Sequence, residues 1–268
     1  MREVLQQLLV IPDLGSDKIQ HLPDRKSIVY LLKQAQVVLF PSYYHYCDMP
    51  LEQTFDELEA GIEKAIRMVV DVQSNTTLDP KKTAGDFMQA LPEVKKLLLT
   101  DIQAVYDGDP AAGSKAEILL CYPGFYAVMI HRIAHTLYRL GVPYIPRVMS
   151  EYAHEKTGID INPGASIGGW FCIDHGTGIV IGETATIGEH VKIYQGVTIG
   201  ARSFEVDAEG NPVKGGKRHP DIGDRVVIYA NATILGGDTR VGDDCVIGGN
   251  VWLIYSVEAG KKIYYTCK

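Results

Sequence analysis

The chain has 268 residues, 46% of them hydrophobic and 22% charged, with 27 glycines and a formal net charge of −7. That apolar content supports one or two packed cores and excludes disordered and collagen-like chains. Acidic residues outnumber basic ones on both sides of Gly158, so no basic segment is available to track a nucleic-acid backbone, and nucleic-acid binding is excluded.

No apolar run reaches the length of a membrane span, and the start from Met1 to Leu8 lacks a signal-peptide core, so a cytoplasmic protein with no membrane association is expected. Ser27 to Phe40 reads as a helix ended by Pro41. Thr54 to Val70 carries Phe55, Leu58, Ile62, Ala65, Ile66 and Val69 at three-and-four spacing, which predicts a helix with one buried stripe. Pro92 to Ala104 is a further helical segment. Another runs from about Phe125 to Leu140, opened by Pro123-Gly124 and closed by Gly141 with Pro143 beyond it. His131 and His135 stand four apart on this last helix, as zinc ligands often do. No glutamate base lies between them and no third ligand is evident, so packing is the expected role. Residues 1–157 are therefore expected to form an all-helical domain.

At Gly158 the construction changes: 20 of the 27 glycines fall in residues 158–268. Aliphatic residues then return every six positions at Ile161, Ile167 and Ile173, again at Ile181, Ile187, Ile193 and Ile199, and again at Ile222, Ile228 and Ile234, followed by Val241, Ile247 and Leu253. Each hexad supplies one short strand with its branched side chain inward, and three strands make one triangular coil. Stacked coils pair at about 4.8 Å, so the aliphatics form ladders along a single core. Glycine often follows the inward residue, as in Ile167-Gly168 and Ile187-Gly188, where corners favour residues tolerating unusual φ and lacking a bulky Cβ. The rhythm breaks at Asp174-His175-Gly176-Thr177-Gly178 and, more widely, in a polar excursion over residues 201–221. The five cysteines are widely spaced with no Cys-x-x-Cys pair, which suggests neither disulfides nor a thiolate metal site.

Histidines mark both breaks: His175 beside Asp174, and His219 beside Arg218. Asp160 opens the preceding hexad. A carboxylate one coil away could fix the tautomer of an imidazole and leave its other nitrogen as a base, although Asp and His equally suit a plain polar turn.

The segments Asp101-Ile102-Gln103-Ala104-Val105, Asp109-Pro110-Ala111, Gly124-Phe125 to His135, Asp160-Ile161-Asn162-Pro163, Asp174 to Ala185, Gln195-Gly196-Val197-Thr198-Ile199-Gly200 and Arg218-His219-Pro220 resemble the serine O-acetyltransferases of cysteine biosynthesis. The likeness runs from about Asp101 to about Ala259. It implies an α+β architecture: a helical N-terminal domain followed, over residues 158–268, by a left-handed parallel β-helix of hexapeptide repeats. It implies acetyl transfer from acetyl-CoA to the hydroxyl of L-serine, with His175 as general base and Asp160 as its acid partner. Asp109 and Asp174 match acids near the serine ammonium; Arg218 and His219 match residues at its carboxylate. Ala201, Ala230 and Gly249 match backbone contacts to coenzyme A, with Lys261 and Lys262 as candidate phosphate cations, although paired lysines near a C-terminus equally form a solvated face. No metal is implied.

The same likeness implies a homotrimer or a dimer of trimers, with the His175 region of one chain facing Arg218 and His219 of the next, and feedback inhibition by cysteine. Three departures stand out. Asn162 replaces a common His, the 201–221 excursion is long, and the sequence ends without the Gly-Val-Pro-Ala stretch and isoleucine-terminated tail of many relatives. No tight tail-mediated complex with O-acetylserine sulfhydrylase is therefore expected. Three rival readings are another hexapeptide O-acetyltransferase, a metal-dependent hydratase drawing on His175, His190 and His219, and a non-catalytic assembly protein.

Overall fold

The computed structural model describes residues 2–10, 22–45, 49–72, 77–203 and 206–265. Seven helices come first among them: α1 (Arg2–Val10), α2 (Arg25–Leu39), α3 (Leu51–Val72), α4 (Pro80–Gly108), α5 (Lys115–Cys121), α6 (Pro123–Arg139) and α7 (Ile145–Thr157). Asp24 starts α2 by accepting from the Ser27 amide at 2.7 Å, and Phe40 closes it before Pro41. In α3 the buried stripe begins at Thr54, whose hydroxyl donates to the Pro50 carbonyl at 3.1 Å, while Phe55, expected inside, stays exposed.

The segment expected to begin at Pro92 is the middle of α4, which starts at Pro80 behind an Asp79 cap. An interior proline forfeits a helix hydrogen bond and costs about 3 kcal/mol. The continuous buried face of Phe87, Met88, Leu91, Val94 and Leu98 outweighs it. Sequence patterning did not anticipate α1, α5 or α7, although Ile145, Met149 and Ala153 line one face of α7. Cys47 and Cys267 lie outside the described residues; Cys121, Cys172 and Cys245 are free thiols.

After α7, capped by Gly158 in the left-handed region, the chain winds into a parallel β-helix with three faces. The first face stacks β1 (Asp160–Ile161), β4 (Val180–Ile181), β7 (Thr198–Gly200), β10 (Thr233–Leu235) and β13 (Trp252–Leu253). On the second lie β2 (Ser166–Ile167), β5 (Thr186–Ile187), β8 (Asp221–Ile222) and β11 (Arg240–Val241). The third holds β3 (Cys172–Asp174), β6 (Lys192–Tyr194), β9 (Val227–Ile228), β12 (Val246–Ile247) and β14 (Lys262–Ile263). Register follows the hexads. Ile161, Ile181, Ile199, Ile234 and Leu253 stack on one face, and Ile173, Ile193, Ile228, Ile247 and Ile263 on another. Ile187 pairs directly with Ile222, so the long excursion leaves the ladder unbroken.

The corner glycines act through space more than through φ. Gly168, Gly188, Gly223 and Gly242 are not among the positive-φ residues; a Cβ on any of them would meet backbone of the next coil within 3.0 Å. The left-handed conformation falls on other corner positions, among them Trp170, His175, His190, Arg225, Asn231, Asp244 and Asn250 and the glycines Gly178, Gly196, Gly236 and Gly260. Parallel strands at about 4.8 Å leave no room for side chains between stacked corners.

The helices and the β-helix are joined near the second corner. Arg132 and Asp101, both buried, pair through Nε to Oδ2 at 2.5 Å and Nη2 to Oδ1 at 2.8 Å. Arg132 also donates to the carbonyls of Ile167 and Gly168, and Asp101 accepts from the Phe171 amide. Ala127 and Val128 of α6 enter the β-helix core, and a Cβ at Gly124 would lie 2.5 Å from the Ile173 carbonyl oxygen. This seam fixes the end of α4 against the first coil, where the candidate site forms.

Candidate active site

The corner from the third face back to the first carries His175 at φ +58°, with its side chain 76% exposed. Its Nε2 lies 3.8 Å from Asp174 Oδ1, while Asp174 Oδ2 meets Lys192 Nζ at 2.9 Å. Lys192 donates as well to the carbonyl of Gly108, the last residue of α4, at 2.7 Å. Burial works against the Lys192 ammonium, but its bonds to Asp174 and Tyr194 raise its pKa overall. Asp109 follows as the cap of α4 and accepts from the Ala111 amide at 2.8 Å and the Tyr122 hydroxyl at 2.7 Å. The Tyr122 bond holds the Asp109 carboxyl below the usual carboxylate range, and in return pushes the Tyr122 hydroxyl up to about 12. Two acids from different domains thus stand beside one exposed imidazole.

Asp160 lies in β1 beneath Val180, one coil below the strand that follows the His175 turn. Among the described residues it makes no hydrogen bond or ion pair with His175, whose nearest carboxylate contact is Asp174.

The corner from the first face to the second carries Arg218 and His219. His219 packs over Gly182 so tightly that a Cβ there would meet the ring at 2.0 Å. Its Nδ1 accepts from the Thr184 amide at 3.0 Å, which places the ring proton on Nε2. Burial, and then the Arg218 charge, depress His219 to about 4, so the ring is neutral near pH 7. Arg218 pairs with Glu183, and its amide donates to Thr184 Oγ1 at 2.9 Å. The guanidinium holds the Glu183 carboxyl below its ordinary value. Within one chain the whole width of the first face separates this group from His175.

The family profile for the N-terminal part of serine acetyltransferases matches residues 56–129. A plasmid serine acetyltransferase of Synechococcus elongatus is 47% identical over 268 residues, covering 93% of this chain and 84% of that protein. The chain belongs to the serine acetyltransferase family. Serine acetyltransferase 1 of Entamoeba histolytica, crystallised with L-cysteine, superposes with a TM-score of 0.78 at 39% identity, covering 87% of this chain and 86% of that one. The Neisseria gonorrhoeae serine acetyltransferase in complex with serine gives 0.60 at 27% identity, over 87% of this chain and 93% of that one. This member of the serine acetyltransferase family is accordingly an acyltransferase.

Of the expected coenzyme A contacts, Ala230 and Gly249 stack on the His175 corner, where the Ala230 carbonyl accepts from the Asn250 amide at 2.9 Å. Ala201 does not join them. It follows β7 at the opposite edge of the first face. Lys262 opens β14 on the third face, and Lys261 lies 4.0 Å from Glu258. The three histidines of the hydratase reading do not converge: His175, His190 and His219 occupy three different corners, and His190 stacks on Trp170. Among the described residues no group of three or more side chains could hold a metal ion. His131 is buried, while His135 bonds the Pro163 carbonyl at 2.8 Å. Burial pushes the Cys172 thiol up to about 12, which removes it as a nucleophile. Among the described residues no helix is long and apolar enough to cross a membrane.

Sequence reasoning missed Lys192, Tyr122 and Thr184. The first was accessible in principle, because coil stacking places β6 directly on β3. The other two depend on side-chain direction, which spacing does not carry.

Proposed function

We propose that the chain transfers the acetyl group of acetyl-CoA to the hydroxyl of L-serine, giving O-acetyl-L-serine and coenzyme A, as the first step from serine to cysteine. The observation that carries this reading is that Asp174 lies beside His175 while Lys192 joins Asp174 to the end of α4, next to Asp109; two carboxylates in that neighbourhood suit an ammonium next to a base. His175 takes the hydroxyl proton as the serine oxygen attacks the thioester carbon. The tetrahedral intermediate then expels the coenzyme A sulfur, which recovers a proton from the imidazolium. General-base assistance of this kind contributes about 10² to 10⁴ in rate. Asp160 is the orienting acid, reached by rotation of the exposed ring toward the adjoining coil.

Arg218, beside the Nε2–H donor of His219, suits a carboxylate. Because His175 and this pair lie at different corners, one serine can touch both only if a neighbouring copy supplies the second, which supports a trimer with shared sites. Ala230 and Gly249, stacked above His175, offer a backbone track for the pantetheine arm, and Ala201 would belong to the adjoining copy's side of the cleft. Lys261 and Lys262, beside and within β14, are assigned to the phosphates of coenzyme A. L-cysteine, a zwitterion of the same size, is expected to compete with serine, in keeping with the L-cysteine complex of the Entamoeba relative.

Thiol release from acetyl-CoA tests the reading. Release is expected with L-serine, little with glucosamine acceptors, and a fall of at least about 10²-fold in His175→Ala. Absence of serine-dependent release by the wild-type chain, or full activity in His175→Ala, overturns it.

A further inference from the structure

Lys192 is an unusual lysine for a surface strand, since only 18% of its side chain is exposed and its ammonium is committed on three sides. It bonds the Gly108 carbonyl at 2.7 Å, pairs with Asp174 Oδ2 at 2.9 Å, and lies 4.7 Å from the centre of the Tyr194 ring. Gly108 ends the 29-residue helix α4, so its carbonyl has no partner within the helix and sits at the negative end of the dipole. A cation there satisfies both. Among the described residues this is the one hydrogen bond joining residues 108–122 to the β-helix.

We propose that Lys192 is a positioning residue for the amino-acid acceptor: it clamps the end of α4 to Asp174 and so holds the Asp109 and Asp174 carboxylates at the separation that brackets one ammonium. The inference rests on the serine reading above. Asp109 is itself rigid, fastened to Ala111 and Tyr122, but both of those lie in the helical domain. The seam at Asp101 and the packing of Gly124 on Ile173 hold the flanks of that unit, but among the described residues only the lysine hydrogen-bonds it directly across to β3, which ends at Asp174 next to His175. Charge leads to the same conclusion. Two carboxylates and one ammonium leave a net charge of −1 at the mouth, which a single substrate ammonium neutralises. Without Lys192 the two acids would face each other uncompensated, and like charges in one site repel. Asp174 can serve both cations because it has two oxygens: Oδ2 is taken by Lys192, and Oδ1 faces His175.

The test uses the full-length protein with Lys192→Met, which keeps the stem and removes the charge, and Lys192→Arg, which can bond both the carbonyl and the carboxylate. Serine and acetyl-CoA are each varied, and amide hydrogen exchange is followed over residues 106–113. The Met variant is expected to raise the serine KM about tenfold or more, the scale of one lost hydrogen bond to a charged group, with the acetyl-CoA KM within about twofold of wild type. Exchange over 106–113 should quicken while α2 and α3 keep their protection. Lys192→Arg should restore the serine KM to within about threefold. A serine KM unchanged in Lys192→Met overturns the proposal, as does unchanged exchange. An equal rise in both KM values with loss of protection throughout the helices also overturns it, since that is a general folding defect. If the wild-type chain releases no thiol with serine, the serine reading itself has failed, and that outcome is visible before any variant is made.

Discussion

Gly182→Ala is the smallest change with the largest expected effect on this chain. The added Cβ would lie 2.0 Å from both Cδ2 and Nε2 of His219, whereas ordinary contact begins near 3.4 Å, so the ring must retreat by about 1.4 Å. It has nowhere to slide freely, because Nδ1 is held by the Thr184 amide at 3.0 Å and the Thr184 hydroxyl at 2.8 Å. Moving the ring that far breaks these bonds, at about 1 kcal/mol each. Overpacking adds about 1–3 kcal/mol. The total, about 3–5 kcal/mol, is tolerable for the fold but not for the site, where a misplacement of about 1 Å can cost about 10²-fold. Steady-state thiol release should show kcat/KM for serine down about 10²-fold, with circular dichroism close to wild type. Gly216→Ala is the control, since a Cβ there meets nothing within 4 Å and its φ is not positive. Retention of serine kcat/KM within threefold in folded Gly182→Ala protein would refute the assigned role of the His219 ring and its packing.

Arg132→Met should destabilise the protein by about 3–5 kcal/mol, because it strands Asp101, whose carboxyl burial already pushes upward against the pull of Arg132. Thermal unfolding should fall by on the order of 10 °C at about 2–4 °C per kcal/mol, and Asp101→Leu in the same chain should recover part of the loss. His219 makes stability depend on pH in a definite direction. Its folded value near 4 lies below the ordinary 6.5, so the unfolded chain binds more protons between those values, and stability present above pH 6.5 is lost as pH falls toward 4. Urea midpoints at pH 7 and pH 4.5 should show that acid loss reduced in His219→Gln by on the order of 1–2 kcal/mol. Mixed trimers of His175→Ala and His219→Ala chains should regain activity that neither homotrimer has; verified mixed trimers without activity would argue against a shared site.

The repeat was legible because it obeys one-dimensional rules. A branched aliphatic every six residues can be buried only if the chain turns at the same interval, and the observed registers of Ile161 through Leu253 follow that phase across an excursion that breaks it locally. The helices were legible where an apolar stripe was continuous, as in α3. They were not where a proline masked a continuing helix at Pro92, or where the element was as short as α5. The corner glycines were located correctly and explained incompletely, since their need is set by the next coil's backbone, which lies about fifteen or more residues away in the chain.

By itself, then, the amino-acid sequence determined the architecture and named candidate site residues, because periodicity and residue type are local properties. Tertiary structure decided which of those residues meet. It brought Asp109 from the helical domain to Asp174 and His175, recruited Lys192 between them, kept Arg218 and His219 at another corner, and set Ala201 apart from Ala230 and Gly249. Such meetings depend on where a corner falls on a three-sided prism and on how one helix end is moored to it, and neither quantity is written in the spacing of a single chain.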